Sequence, residues 1–304
     1  MARISHLNPL DLPALIASFE LELAALNRSK STRRIYLSSL EKFVQWLEAK
    51  GHPPGLDRRL VQAWMKELLD NGAEPTTVAA RLAGLRQFTK WAAKEGEIPT
   101  DPLLGLNAPK APMKVTPVLT ETQLKALIQV CQGPELRDRR DEALFRLMAE
   151  TGMRIGEVAA LELDDIDLKR GLVIIRKSKN GRGRTVPLGP KTGRAIDRYL
   201  RARRQHPGAQ GKAVWLGART LGGLTPHGIR CALGERARLA GVPNFHPHVL
   251  RHTAASRWLS AGGSETSLLA VAGWTDRSML DRYGAATKAE RAVEESKRLN
   301  LGDY

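Results

Sequence analysis

Residues 97–117, EIPTDPLLGLNAPKAPMKVTP, hold five prolines and carry no helical or strand period. Proline lacks a backbone donor and cannot sit inside a helix or a central strand. No regular element can run through this stretch, so a 304-residue chain is divided there. The division predicts an interdomain linker over 97–117, a first domain over 1–96 and a second over 118–304.

The first part reads as four helices. LPALIASFELELAAL has apolar residues on a helical period, and SKSTRRIYLSSLEKFVQWLEAKG follows as a second amphipathic helix. Ser31 or Thr32 is expected to cap that second helix and Gly51 to stop it. Its apolar stripe runs Ile35, Leu40, Phe43, Val44, Leu47. DRRLVQAWMKELLDNG ends at Asn71-Gly72, and EPTTVAARLAGLRQFTKWAAKEG carries Pro75 at a first turn. Four helices with no strand pattern predict a small bundle.

After the linker the period is mixed. Thr120 with Gln123 three residues on is a capping-box signal for a helix. Helices are also expected over ELRDRRDEALFRLMAETG, 189–204, 226–240, 247–260, 265–272 and 286–298, with a helical turn at MLDRY. Between them, the run Val173-Ile174-Ile175, the turn KNGRG and the short strand TVPL predict a β-hairpin with a basic tip. The fold class is thus mainly α with a small β-hairpin: a helical domain followed by a mixed α+β domain.

Charge says what such a chain meets. Lysine and arginine outnumber acids 48 to 32, for a net charge of +16, and +13 of this falls after residue 110. An excess on that scale points to nucleic acid as a partner. Cys131 and Cys231 are far apart, with no Cys-x-x-Cys or Cys/His cluster, which suits two free thiols in a reducing cytoplasm. The opening residues lack an apolar core followed by a cleavage site, and no run of about 18 apolar residues predicts a membrane span.

Four stretches carry the chemistry. In ETGMRIGEVAAL, Gly152 ends one helix and Arg154 begins the next. An arginine at a helix N-terminus is electrostatically misplaced unless an anion joins it. In FHPHVLRHTAASRWL, Pro247 suits a helix start, and His248 and Arg251, three apart, share a face with His252 close by. Zinc would want a glutamate where Val249 stands, and a third ligand. A histidine beside an arginine instead suits phosphoryl transfer: the guanidinium binds nonbridging oxygens and the imidazole moves a proton. Lys177 and Lys179 lie at the hairpin tip. Finally, AGWTDRSMLDRYG sets Tyr283 nine residues after Trp274. A phenol becomes a nucleophile when its proton is taken or its anion stabilised, and two arginines and a histidine do both. Trp274 has an indole N–H to offer a phosphate oxygen.

In combination these stretches resemble the tyrosine recombinases, or phage integrases, over nearly the whole chain. The resemblance makes 1–96 the helical core-DNA-binding domain and 118–304 the catalytic domain. It puts the first arginine on Arg154 (TGMRIGEVAAL), with Glu157 as a supporting acid. The hairpin lysine falls on Lys179, seven residues before the valine of VPL, with Lys177 as second choice. His248 and Arg251 (HVLRH) form the His-x-x-Arg box, with His252 beside it. Trp274 takes the His-or-Trp position and Tyr283 the nucleophile's. Arg33, Arg34, Arg81, Arg86, Lys90, Arg182 and Arg184 are the expected DNA contacts. The resemblance further implies a metal- and ATP-independent reaction through a 3′-phosphotyrosine, four protomers on two synapsed duplexes, a clamp of two domains around DNA and an accessory or directionality factor in some members. Two rivals share the chemistry or the fold: a type IB topoisomerase that relaxes DNA without synapsis, and a DNA-binding protein without catalysis. A metal-dependent nuclease is the third.

Overall fold

We describe a computed structural model over residues 11–111, 117–176, 183–218 and 221–274, with Asp276, Leu280 and Lys297. It divides into two compact units, residues 1–113 and 114–304. Lys177, Lys179, Arg182, Tyr283 and the helix expected over 286–298 lie outside the described residues.

The first unit is the expected bundle: α1 (Leu12–Ala25), α2 (Lys30–Ala49), α3 (Arg58–Asp70) and α4 (Pro75–Lys94). Asp11 caps α1, and Asp57 caps α3 by accepting from Arg59 and Leu60 N–H. The cap of α2 is Ser29, not Ser31 or Thr32; its Oγ accepts from Thr32 N–H at 3.1 Å. Ser29 keeps a non-helical backbone (ψ 147°) just before the helix, whereas Ser31 and Thr32 lie inside its first turn. Leu40, Phe43 and Leu47 of the expected stripe are buried, whereas Ile35 is half exposed. Phe19 packs edge-on against Phe88 (5.4 Å), and Phe43 lies 5.2 Å from Trp64. Helices α2 and α4 meet at Gly84, where a Cβ would stand 2.8 Å from Ser39 Cβ and 3.2 Å from the Tyr36 Cα.

The proline-rich stretch differs from expectation at its start. Leu103 and Leu106 are buried in the first unit's core, and Arg58 Nη1 donates to the Leu104 carbonyl at 2.9 Å. Two leucines three apart provide enough apolar surface to fold 98–106 back onto the bundle despite the prolines.

The second unit holds α5 (Glu121–Gln129), α6 (Leu136–Thr151), α7 (Ile155–Ala159), a turn of 3-10 helix at Leu163–Asp165, β1 (Ile166–Asp167), β2 (Leu172–Ile175), β3 (Arg184–Pro187), α8 (Pro190–Arg203), α9 (Pro226–Leu239), α10 (Pro247–Ser260) and α11 (Glu265–Ala272). The Thr120–Gln123 capping box is present. The hairpin gains a short third strand, in the antiparallel order β1-β2-β3, with Val173 opposite Val186.

Charge is built into this unit's interior. Asp141 is fully buried and accepts from Arg140 Nε (2.8 Å) and Arg236 Nε (2.9 Å). Arg203 donates to the carbonyls of Ala209, Gly211, Ala213 and Val214, fixing a loop that has no regular structure. Tyr199 stacks on Trp215, donates to Val214 O and accepts from Leu216 N–H. No helix of the described residues is long and apolar enough to cross a membrane.

Candidate active site

The α6–α7 corner positions the first arginine. α6 ends at Gly152, whose φ of 62° is the left-handed region that glycine enters without strain. Two residues later Arg154 is the N-cap residue of α7. The corner is closed by Glu157, whose carboxylate accepts from the Arg154 backbone N–H (2.9 Å) and from Arg154 Nη1 (3.0 Å). Arg154 Nη2 reaches the Gly273 carbonyl at 3.3 Å. The guanidinium is therefore held at the helix N-terminus, where backbone N–H groups and positive charge together favour an anion.

Arg251 comes from the first turns of α10 and is 2 % exposed. Its Nη1 donates to Gly152 O (2.5 Å) and its Nη2 to Ala272 O (2.8 Å), and its guanidinium lies 4.9 Å from the Trp274 ring centroid. One side chain thus ties the α6–α7 corner to the end of α11, and Trp274 covers it as a cation–π partner. His248, exposed on the same helix, sets its ring 4.5 Å from that of the buried His252, at 85°. α11 ends at Gly273, again left-handed at φ 64°. A Cβ there would stand 2.8 Å from Arg184 Nη1, so glycine is needed for space as well as for backbone conformation.

Arg184, expected among the DNA contacts, opens β3. It is turned inward, with its side chain 10 % exposed. Its Nη1 and Nη2 donate to the two Glu157 oxygens at 3.0 and 2.8 Å, and its Nε to Val271 O at 2.7 Å. Burial pushes the Glu157 carboxyl up; the hydrogen bonds from Arg184 and from the Arg154 backbone outweigh that and hold it below its ordinary value. Sequence reading missed this pair because the two residues are 27 apart and on different elements.

The structure therefore brings Arg154, Glu157, His248, Arg251, His252 and Trp274 into one region of the second unit, and adds Arg184. The expected contacts of the first unit form two separate patches. Arg34 and Arg81 line a groove between α2 and α4 with Lys30 and Ser38, and Arg81 Nη1 donates to Ser38 Oγ at 3.0 Å. Arg86 and Lys90 line a second hollow farther along α4 with Lys94. Arg33 is half-buried, and its Nε has no hydrogen-bond partner. Among the described residues no trio of His, Cys, Asp or Glu is placed to hold a metal ion.

This geometry sits on a chain with clear relatives. The sequence pattern described as the Phage integrase family matches residues 117–290, and that of the phage integrase N-terminal SAM-like domain matches 16–96. Tyrosine recombinase XerC of Mycobacterium bovis (strain BCG / Pasteur 1173P2) is 32 % identical over 294 residues, covering 93 % of this chain and 98 % of the relative. Among solved structures, the Tn1549 transposon integrase in complex with transposon right end DNA aligns with a TM-score of 0.75 at 17 % identity, covering 95 % of this chain and 99 % of that one. The lambda integrase tetramer bound to a Holliday junction aligns at 0.67 and 18 %, covering 87 % and 77 %. The chain belongs to the phage integrase family, the tyrosine recombinases. By that membership it is a site-specific recombinase, an enzyme that cleaves and rejoins DNA.

Proposed function

We propose that this recombinase acts on double-stranded DNA through a 3′-phosphotyrosine at Tyr283. The observation that carries the reading is the meeting of Arg154, Arg251 and Trp274, from three separated segments, at the end of α11, with His248 three residues before Arg251 on α10. The tyrosine inventory supports it. Of the four tyrosines, Tyr36 lies in the first unit, partly buried against its core, and Tyr199 is buried with its phenol pushed up to about 12; of Tyr283 and Tyr304, only Tyr283 stands nine residues after Trp274.

The Tyr283 oxygen attacks a DNA phosphorus, and the bond from phosphorus to the 5′-oxygen breaks. His248 takes the phenolic proton, and Lys179 gives a proton to the leaving 5′-oxygen. Arg154 and Arg251 stabilise the charge that gathers on the nonbridging oxygens, with Trp274 beside them. The phosphate ester keeps the bond energy, so a 5′-hydroxyl of the partner strand completes the exchange by the reverse attack, with neither ATP nor a metal ion. The tetrameric relative on a Holliday junction supports an assembly of four protomers on two duplexes. The cytoplasm, where such DNA lies, is the expected location, and an accessory factor that sets direction fits the same scheme. Arg33, Arg34, Arg81, Arg86, Lys90 and Arg182 are the proposed backbone contacts.

The test is covalent trapping. Nicked duplexes tiled across the DNA flanking the gene are incubated with the protein in EDTA and resolved on a denaturing gel. A protein–DNA adduct is expected, and Tyr283→Phe should bind the same duplex and give none. An adduct that persists in Tyr283→Phe would move the nucleophile elsewhere. Cleavage that leaves no adduct and is abolished by EDTA would favour the metal-dependent nuclease.

A further inference from the structure

We infer that Arg184 is a positioning residue for strand cleavage rather than a phosphate contact. The inference rests on the reading of Arg154 and Tyr283 given above. Arg184 opens β3, and in sequence Lys177 and Lys179 fall between β2 and β3. From there it reaches two other parts of the site at once. Both terminal nitrogens go to Glu157, and Nε goes to the Val271 carbonyl. Glu157 in turn holds Arg154 by its backbone and its guanidinium, and Arg154 returns to Gly273. A closed circuit results, running β3, Glu157, Arg154, Gly273, and back through Val271 to Arg184. It joins the root of the lysine-bearing hairpin to the first arginine and to the segment that leads to Trp274.

The opposite root of the hairpin is pinned in the same way. Arg176, next after β2, pairs with the buried Asp165. Both strands are thus anchored by an arginine on a carboxylate, Glu157 within α7 for β3 and Asp165 of the 3-10 turn before β1 for β2. The two anchors differ in exposure: the Arg176 side chain is 58 % exposed and that of Arg184 10 %. Only Arg184 also touches the α11 end. Its planar fork meets two carboxylate oxygens while Nε bonds a carbonyl, a set of three that a lysine ammonium on a single flexible stem does not reproduce. The absence of a side chain at Gly273 is the matching half of the device, since a Cβ there would press on Arg184 Cζ at 2.9 Å.

The experiment uses the full chain and a nicked duplex that traps adduct. Arg184→Met and Arg184→Lys are compared with wild type in two measurements: the single-turnover rate of adduct formation at saturating DNA, and the slope of log binding constant against log salt. If Arg184 bound a phosphate, its replacement by methionine would lower the slope by about one and weaken binding on all duplexes. A positioning role leaves the slope and affinity unchanged and slows adduct formation by about 10- to 100-fold, since small misplacements of catalytic groups cost on that scale. Arg184→Lys should recover part of that rate. Glu157→Gln should slow the reaction to a similar degree, and the double variant Arg184→Met/Glu157→Gln should be little slower than either alone. Should Arg184→Met fail to fold, Arg184→Lys and Glu157→Gln carry the same comparison. A slope lowered by one overturns the assignment whether or not an adduct forms. An unchanged adduct rate in folded Arg184→Met overturns it too. Failure of wild type to form adduct on any duplex would instead remove the nucleophile reading, and the salt slope would still judge Arg184.

Discussion

The two units are built from different materials. In the first, the core is aliphatic and aromatic, and Ser39 and Thr89 are its only buried polar residues among those described. In the second, Arg140, Asp141, Glu142, Glu157, Asp165, Arg203, Arg236, Arg251 and His252 are all buried. Apolar packing is non-directional and tolerates substitution if volume is kept. Buried ion pairs are directional and add little stability over an apolar replacement, yet losing one partner is severe. The first unit is therefore held together by volume, the second by geometry. That is the division expected when one part presents its charges from the surface of a stable apolar scaffold and the other must hold charged groups in set positions in its interior.

The comparison can be broken most sharply at Arg251. Arg251→Ala should lower adduct formation by about 10²- to 10³-fold, the scale for losing one donor to developing charge. Duplex binding in a gel shift should persist, so cleavage near the wild-type rate would show that geometry in this unit is not what cleavage needs. Next is Asp141→Asn, which leaves Arg140 and Arg236 without their shared carboxylate. A loss of about 3–5 kcal/mol is expected, read by denaturant unfolding with Trp215 as a reporter of the second unit. Gly84→Ala addresses volume instead: the added methyl meets Ser39 and the Tyr36 backbone and should cost about 1–3 kcal/mol, confined to the first unit's transition. The smallest effect separates the units by pH. The folded pKa of Glu157 is depressed, so its contribution is complete above the ordinary carboxylate range and is lost as pH falls through the lower folded value. Acid titration should unfold the second unit before the first; the reverse order would show that the Glu157 cluster is not the acid-sensitive element.

What the sequence made legible follows the same line. Helices with a strong period were readable, and α10 and α11 match their expected bounds because Pro247 and Ser264 mark their starts and Gly273 the end of α11. The His248–Arg251 face was readable because three residues on a helix is a short-range relation. The buried capture of Leu103 and Leu106 was not, since the prolines around them dominate any local reading. Nor was the Arg184–Glu157 pair, which depends on how β3 approaches α7. Ile35 fitted the period and yet is half exposed, lining the groove between α2 and α4 with Arg34 and Arg81.

The folded-back segment at 98–106 has a consequence for anyone who takes this protein apart. A fragment cut at residue 96, where the N-terminal family match stops, would lack Leu103 and Leu106 and leave Arg58 without its carbonyl acceptors. It would present an open apolar socket to its neighbours and tend to stick to them. Extended to residue 111, the same fragment brings its own lid. Chimeras that graft the helical part of one recombinase onto the catalytic part of another should be joined after that lid rather than before it.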